Sequence, residues 1–555
     1  MARQGDGQVV VPPTLQALLA ARLDQLEPVE RSVLERGAVE GEIFHRGAVQ
    51  ALVRDGSVTP RLASLIRKHL IRPDNSRLPD DDAFRFRHLL IRDAAYESIP
   101  KGMRAELHER FAIWLEERGT DLVELDELLG HHLEQAARYK RDLGRSDPVL
   151  AERAGERLAA AGRRALWRDD RRAAAVLLER ALTLIQPIRL DVHLELDLAS
   201  ALSVDERNAA ATAEAAAQRA REAGDRVGEA LARTVAAAHR SEFAVDPAID
   251  ELEALARAAL PLLERVEDHA GLVHCWWALR TVAHFRCRNE ECAHAAEQAI
   301  RHAHLAGQAD THLFGLPIAL VVGPRPADEA LRALDTVLLE NPHPYVVLNR
   351  AILVGMLGRF GEARSIAQEA SRRLRELTGD ESLVQNTLAE IAIIEGDHDS
   401  AVRYLRGWCD FLEAHGLRAR LSTFAPRLGR ELCALGRYDE AEALAQLGRN
   451  LGDEQDLMTQ MIWRQVQARV HADRGEHAEA EALAREAVAI AERTDGLNWQ
   501  GDALSDLAEV LEAAGRTDEA AAALEEALER YERKKNLAMV AQVRPRLKEL
   551  RAGVT

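Results

Sequence analysis

The chain has 555 residues and a formal net charge of −18, from 73 basic and 91 acidic side chains. Because phosphate binding requires a basic surface, this balance argues against a protein that coats nucleic acid. Apolar residues make up 47% of the chain and aromatic residues only 4%, which is typical of helix-on-helix packing rather than of sheets. The longest apolar run, about 313–322, is too short to cross a bilayer, so we expect no membrane contact.

The cysteines and the N-terminus indicate the compartment. Five cysteines in a long chain do not form the pattern of a disulfide framework, and we infer a reducing environment. The chain also opens without the charged and apolar leader of a secreted protein. We therefore expect the protein in the cytoplasm.

The N-terminal region predicts short helices followed by a small sheet. Residues 1–13 resemble a tail or a truncated linker, and helical patterning starts at Leu15. The segment Phe84–Arg87 alternates apolar and basic residues, as a half-buried strand does, and Leu70–Pro73 is an extended partner. Helices followed by such a hairpin predict a winged-helix region over 14–119, with a two-stranded β wing.

A short motif recurs in the C-terminal half. Its glycine ends one helix, its acidic residues lie in the first turn of the next helix, and its alanine allows the two helices to cross closely. The glycines stand 38, 40, 39 and 40 residues apart, which is the spacing of a stacked-repeat protein. The junction residues are Gly358 and Ala363, Gly396 and Ala401, Gly436 and Ala441, Gly475 and Ala480, and Gly515 and Ala520.

One helical hairpin cannot bury its apolar face alone, so neighbouring hairpins must stack. The Gly-x-Tyr-x-Glu-Ala junction at Gly436 resembles that of tetratricopeptide repeats, whose usual period is about 34 residues. We predict an all-α fold apart from the wing: an α-solenoid of tetratricopeptide-like hairpins behind the winged-helix region. Irregular helical pairs are expected over 120–344, regular repeats over 345–535, and a capping helix with a tail over 536–555.

Two N-terminal motifs resemble bacterial signalling ATPases of the STAND class. They are VPPTLQALLAARLD at Val11–Asp24 and FRFRHLLIRDAAY at Phe84–Tyr96. The similarity is closest to class III adenylate/guanylate cyclases that carry an ATPase module and a tetratricopeptide tail, and Asp126–Ala136 extends it. The resemblance implies a regulatory region that holds an attached ATPase inactive until a ligand engages the solenoid.

The resemblance also implies a role for one histidine. In related ATPases a winged-helix histidine, in a Met-His-Asp motif, contacts the phosphates of the nucleotide, and His88 occupies that place. Both of its neighbours differ from the motif, so the alternative is a histidine that caps or packs at a strand-to-helix junction. His88 is a candidate nucleotide-sensing residue on these terms.

No catalytic or cofactor motif stands out. The chain lacks a Gly-x-x-x-x-Gly-Lys-Ser/Thr phosphate loop and a nucleophile elbow, and we expect no catalytic residue and no cofactor. His284 and Cys287 lie three residues apart on one predicted helix face and could contribute to a zinc site. Because compact finger spacing is missing and helical repeats bury cysteine as a small hydrophobe, we predict no metal site.

These features predict a non-enzymatic signalling scaffold that binds a protein or peptide partner through its solenoid. One alternative is a DNA-binding regulator, with Arg61, Arg67 and Lys68 on the recognition helix. Residues 14–118 hold 17 basic and 17 acidic residues, however, which does not favour nucleic acid. The other alternative is a fragment of an adenylate cyclase whose catalytic and ATPase domains lie upstream. For the oligomeric state, a homo-oligomer is a further alternative.

Overall fold

The structure is a computed structural model. It describes residues 22–53, 56–76, 78, 81–120, 122–168, 170–202, 206–243, 249–308, 315–340, 343–378 and 382–553. The predicted tail over 1–13 and most of the first family-like motif lie outside the described residues. The chain forms two compact units, residues 1–225 and residues 226–555.

The first unit begins with helices and a small antiparallel sheet. After helical residues at 22–24 come the helices Pro28–Glu40, Arg46–Leu52 and Thr59–Arg67, and the strands are β1 (Ile43–His45), β2 (Ile71–Asp74) and β3 (Ala83–Phe86). The order in the sheet is β1-β3-β2. The prediction of a two-stranded wing was incomplete, because the three residues of β1 are too few to show an alternating pattern.

Aromatic packing holds this sheet against the helices. Phe44 of β1 is fully buried, and its ring centroid lies 5.2 Å from that of Phe86 on β3. A β-carbon on Gly37 would lie 3.0 Å from the Phe44 ring, so only glycine lets the helix Pro28–Glu40 approach this closely. Leu34 and Leu65 complete the core from the helix side.

Helices complete the first unit. From Lys101–Arg118 onward, each helix packs against the next. They are Leu89–Glu97, Lys101–Arg118, Leu125–Asp142, Pro148–Trp167, Arg171–Ile185, Val192–Ala201 and Glu206–Ala223.

The second unit is a stack of helical hairpins. Over its described residues there are eight, followed by the terminal helix Leu537–Gly553. Hairpins 1 to 8 are Arg226–Phe243 with Ile249–Arg265, His269–Phe285 with Asn289–Leu305, Gly315–Val322 with Ala327–Glu340, Pro344–Met356 with Phe360–Thr378, Ser382–Glu395 with His398–Ala414, Arg418–Ala434 with Tyr438–Leu451, Leu457–Asp473 with His477–Glu492, and Leu497–Ala513 with Thr517–Lys534. The predicted fold class is confirmed: a helical, tetratricopeptide-like solenoid with a small sheet.

The junction residues lie at the turns inside hairpins 4 to 8. The five glycines have φ between 72° and 83°, the left-handed region that an L side chain rarely adopts. The five paired alanines are completely buried. At hairpin 6, the carbonyl oxygen of Ala441 would lie 3.1 Å from a β-carbon on Gly429, so the two helices cross closely there.

The second unit also closes on itself. Residues 287–290, 320–328, 356 and 394–396, in hairpins 2 to 5, contact residues 495–498 and 534–542, in hairpin 8 and the terminal helix. We call this contact the seam. In the part of the chain that the structure describes, no helix is both long enough and apolar enough to cross a membrane.

Candidate binding surface on the inner face of the second unit

The first helices of the hairpins line one face of the second unit. Those of hairpins 4 and 5 contact each other, as do those of hairpins 6 and 7 and of hairpins 7 and 8. Arg430 of hairpin 6 also reaches Asp506 of hairpin 8, with 2.8 Å between Nε and Oδ2, although hairpin 7 lies between them in sequence. First helices two hairpins apart can meet only on the inside of a curve. We therefore call this surface the inner face.

Asp506 is the centre of a buried ion-pair network on the inner face. Its side chain is 2% exposed and also accepts a hydrogen bond from Gln465 Nε2 at 3.0 Å. Arg469 Nη1 lies 3.5 Å from Asp506 Oδ1, and Arg469 Nη2 lies 2.9 Å from Glu509. Burial opposes the charge of Arg430, but the nearby carboxylates, chiefly those of Asp506 and Asp502, together outweigh burial and raise the pKa of Arg430 well above its usual range.

The same network extends to hairpin 8 and the terminal helix. Tyr531 donates its hydroxyl hydrogen to Asp502 at 2.6 Å, and burial raises the pKa of Asp502. Arg546 of the terminal helix donates to Glu509 at 2.9 Å. Because these buried charges pair with one another within the protein, they hold this half of the inner face in place and leave little unpaired charge for a ligand.

The other half of the inner face carries aromatic and polar groups. The guanidinium carbon of Arg280 lies 4.1 Å from the Trp277 ring centroid, and Arg280 Nη2 donates to the hydroxyl of Thr281. Burial raises the pKa of Tyr345, while the positive charges of Arg420 and Arg280 act to lower it. These side chains come from hairpin 2, hairpin 4 and the start of hairpin 6. An aromatic surface beside cationic groups is suited to acidic or aromatic groups of a partner.

Asn386 supplies an additional polar group on the same half. It lies on the first helix of hairpin 5, and its buried Oδ1 has no hydrogen-bond partner among the described residues. Glu390, one turn further on, forms an ion pair with Arg427. A buried amide oxygen without a donor is costly in the free protein, and a bound group that supplied a donor would remove that cost.

His88, the candidate nucleotide-sensing residue, is exposed. It occupies the N-cap position of the helix Leu89–Glu97 and makes no side-chain capping hydrogen bond. The described residues therefore provide no capping hydrogen bond in support of the alternative of a capping histidine.

The two candidate zinc ligands have different environments. His284 is exposed and its ring packs edge-on against Phe285, whereas Cys287 is buried. Within the described ranges, no group of three or more His, Cys, Asp or Glu residues is placed to hold a metal ion. Cys287 has φ of 52° and occupies the turn position that glycine holds in hairpins 4 to 8.

All five cysteines are buried thiols without disulfide partners. Burial raises the pKa of Cys275, Cys287, Cys409 and Cys433 to about 12, and that of Cys292 to about 11. Thiols with such pKa values stay protonated and pack as small hydrophobes.

A buried histidine pair lies in the first unit. His108 Nδ1 and His132 Nδ1 are 2.8 Å apart, and His108 Nε2 lies 2.7 Å from the Tyr96 hydroxyl. Burial lowers the pKa of His108 to about 3 and that of His132 well below its usual value. Both rings are therefore neutral, and the chain of hydrogen bonds joins the helices Lys101–Arg118 and Leu125–Asp142.

Sequence reasoning missed the residues that form the seam, above all Asp495 and Lys534. Asp495 accepts hydrogen bonds at the start of the helix Asn289–Leu305, and Lys534 donates to backbone carbonyls after the helix Gly315–Val322. Each contact joins positions more than 200 residues apart. No local sequence pattern contains that information.

Comparison with solved structures finds proteins of low sequence identity, three of which follow. The APC/C hetero-tetramer Cut9-Hcn1 is 13% identical, covers 81% of this chain and 92% of its own, and has a TM-score of 0.44. Yeast Tom70 is 14% identical, covers 79% of this chain and 97% of its own, and has a TM-score of 0.34. A signal transduction ATPase with numerous domains (STAND) and a tetratricopeptide repeat sensor, from Pyrococcus horikoshii, is 13% identical over 97% of this chain and 68% of its own, with a TM-score of 0.32.

Comparison with curated proteins finds no match. The scan of protein families finds the tetratricopeptide repeat, which matches residues 459–533. That segment covers most of hairpins 7 and 8, where the junction motifs at Gly475 and Gly515 lie. These two hairpins therefore carry the sequence pattern of the tetratricopeptide repeat.

Proposed function

We propose that this protein is a non-enzymatic signalling scaffold that binds a protein or peptide partner on the inner face of its second unit. The observation that supports the proposal most directly is the oxygen of Asn386, which has no partner among the described residues and lies on a first helix, as do the aromatic and cationic groups of hairpins 2, 4 and 6. Stacked helical hairpins present such extended surfaces to partners.

We further propose that the chain is the regulatory half of a cyclase-like STAND ATPase. The family-like motifs support this, and so does the order helix–strand–helix–helix–strand–strand over Pro28–Phe86, which is the order of a winged helix. In this proposal His88 contacts nucleotide phosphates, and the solenoid acts as the cytoplasmic sensor. The related proposal, that adenylate cyclase and ATPase domains lie upstream in a longer product, predicts a larger band for an antibody against hairpins 4 to 8 in cell extract.

Photo-crosslinking tests the binding surface. A photoreactive amino acid replaces Asn386 on the inner face or, as the control, Leu339, which lies on the second helix of hairpin 3 and is 88% exposed. In extract from the source cells, the residue at position 386 should capture a discrete partner that the residue at position 339 does not. Equal capture at both positions, or none at position 386, would refute the inner face as the binding surface.

A second candidate function, DNA binding by the first unit, is favoured by one observation. Arg61, Arg67 and Arg87 are exposed and form no ion pair within the described ranges, although Lys68 is paired with Glu30 at 2.5 Å. If this surface binds DNA, affinity for a mixed-sequence duplex should fall steeply with salt and weaken in an Arg61→Ala/Arg67→Ala variant. Absence of binding at low salt would exclude this candidate.

A further inference from the structure

The seam is formed by charged side chains at helix ends. At one end, Asp495 caps the helix Asn289–Leu305: its Oδ1 accepts from the backbone N–H and the Nδ2 of Asn289, and its Oδ2 accepts from the N–H of Glu290, each at 2.8 Å. The N–H of Asp495 in turn donates to the carbonyl of Cys287 at 3.3 Å. A carboxylate at a helix N-terminus is favoured by both the free N–H groups and the helix dipole.

Lys534 makes the opposite contact in hairpin 3. Its fully buried Nζ donates to the carbonyl oxygens of Leu320, Gly323 and Arg325, at 3.0, 2.6 and 2.9 Å. These carbonyls lie at and just beyond the C-terminal end of the helix Gly315–Val322, where the dipole favours a positive charge. Three carbonyl acceptors also match the three N–H donors of an ammonium group.

Two further contacts continue the seam toward the terminal helix. Lys535 Nζ lies 2.9 Å from Asp328 Oδ2, and Gln542 Nε2 donates to the carbonyl of Ile394 at 2.7 Å. Apolar contact is small: among the described residues, Ala538 is the one residue of the C-terminal region in the core cluster that hairpins 2 to 5 share.

The seam therefore differs in kind from the contacts between neighbouring hairpins. Neighbouring hairpins bury continuous rows of alanine and leucine, which water cannot replace. When the seam separates, water can form hydrogen bonds to all of its polar groups. Loss of the side chain that caps a helix end therefore has only a modest net free-energy cost. We therefore expect the seam to open more readily than these contacts between neighbouring hairpins.

We propose that the seam is a reversible clasp, which opens to give a partner chain access to the inner face between hairpins 2 to 5 and hairpin 8. The role in access rests on the proposed function. The opening of the seam does not rest on the proposed function, and it can be measured without a partner.

Cys287 provides a native probe of the clasp. It is buried at the seam, where the Asp495 N–H donates to its carbonyl and the charge of Asp495 acts on its thiol, so we expect opening to expose the thiol. Cys409 and Cys433 are buried in the core of hairpins 5 to 7, away from the seam, and serve as controls within the same molecule. Labelling of the full chain by N-ethylmaleimide, followed by mass spectrometry of each cysteine peptide, gives the three rates.

The variants Asp495→Asn and Lys534→Met each remove one charged cap. We expect each variant to label at Cys287 at least about tenfold faster, with Cys409 and Cys433 unchanged, since loss of a charged hydrogen bond is worth a factor of this order. Unchanged labelling at Cys287 would overturn the clasp. A parallel rise at all three cysteines would also overturn it, because the seam would then open only when the whole unit unfolds.

A covalent lock tests the clasp from the other side. A zero-length carbodiimide can join Lys535 to Asp328 as an amide, with loss of water taken up by the carbodiimide as a urea. We expect the locked chain to label at Cys287 at least about tenfold more slowly and to lose capture of the partner by the photoreactive residue at position 386. A Lys535→Gln chain treated with the same carbodiimide should keep its labelling rate at Cys287 and its capture at position 386. Capture that persists in the locked chain refutes the clasp alone. Capture absent in every chain refutes the proposed function, and the labelling rates still decide the clasp.

Discussion

The buried lysine of the seam gives the second unit a specific dependence on pH. Burial lowers the pKa of Lys534 to about 7, against an ordinary value of 10.5. Asp495 and Glu290 act to raise this pKa and Arg325 acts to lower it. Between these two values the unfolded chain binds a proton that the folded chain has released. The free energy of unfolding therefore rises with pH above about 7, and the contribution is lost as pH falls toward 7.

The size of the effect follows from the two pKa values. Integrating the proton difference from pH 7 to pH 8.5 gives about 1.6 kcal/mol of added stability from this one group. Buried cysteines act in the opposite direction as pH approaches the ordinary thiol pKa, because their folded pKa values are raised. The informative quantity is therefore the difference between the wild type and a Lys534→Met variant, in which the cysteine contributions cancel.

Urea denaturation at several pH values, followed by circular dichroism, measures this difference. We expect the gap between the wild type and Lys534→Met to change by about 1.6 kcal/mol in favour of the wild type from pH 7 to pH 8.5. The matched control is Lys535→Met, an adjacent lysine that is 48% exposed and pairs with Asp328. A constant gap for Lys534→Met, or an equal change in both variants, would refute the reasoning.

Three further predictions concern the solenoid, and urea denaturation measures each one. Gly436→Ala, at φ of 72° with open space around the added methyl group, should lose about 1–2 kcal/mol, whereas Gly361→Ala, inside a helix and equally unobstructed, should gain stability. Asp506→Ala should lose about 3–5 kcal/mol because it removes the buried carboxylate that pairs with Arg430 and accepts a hydrogen bond from Gln465, whereas removal of the surface carboxylate in Glu440→Ala should change little; equal losses would contradict the buried network. The hydrogen bond to the buried Glu431 raises the pKa of His398, so the wild type should lose stability relative to His398→Gln as pH rises through that raised value. A difference in the free energy of unfolding that does not depend on pH would contradict the pairing.

The repeats were predictable because each one depends on local chemistry. A glycine that closes a helix, acidic residues in the next first turn and a small residue at the crossing all lie within six positions, and the motif at Gly436 shows every one. The fold class followed from the regular spacing of five such motifs. The strand β1 escaped prediction because it pairs through only Ile43–His45, with partners near position 84.

The inner face was only partly predictable. Its residues lie on the first helix of each hairpin, but the sequence does not show how tightly the stack curves. The curvature brings Arg430 to Asp506, 76 positions away, and so decides which charges cancel and which polar groups remain. Asn386 and Arg427 are both polar residues on first helices, and the sequence does not show which of them has a partner. In the structure Arg427 is paired with Glu390, while the Asn386 oxygen has no partner in the described region.

The seam was not predictable as a contact, but the sequence marks one of its positions. The junction positions in hairpins 4 and 6 to 8 are glycines with nothing within 4 Å of an added β-carbon, so a side chain there would gain no contact to offset the strain of the left-handed backbone. Cys287 adopts the same left-handed turn in hairpin 2 and is 8% exposed; Asp495 donates to its carbonyl, and the charge of Asp495 acts on its thiol. The left-handed backbone costs about 1–2 kcal/mol for a non-glycine residue, and burial of the thiol offsets part of that cost. The departure from glycine at Cys287 therefore coincides with the place where hairpin 2 contacts a part of the chain other than its neighbours.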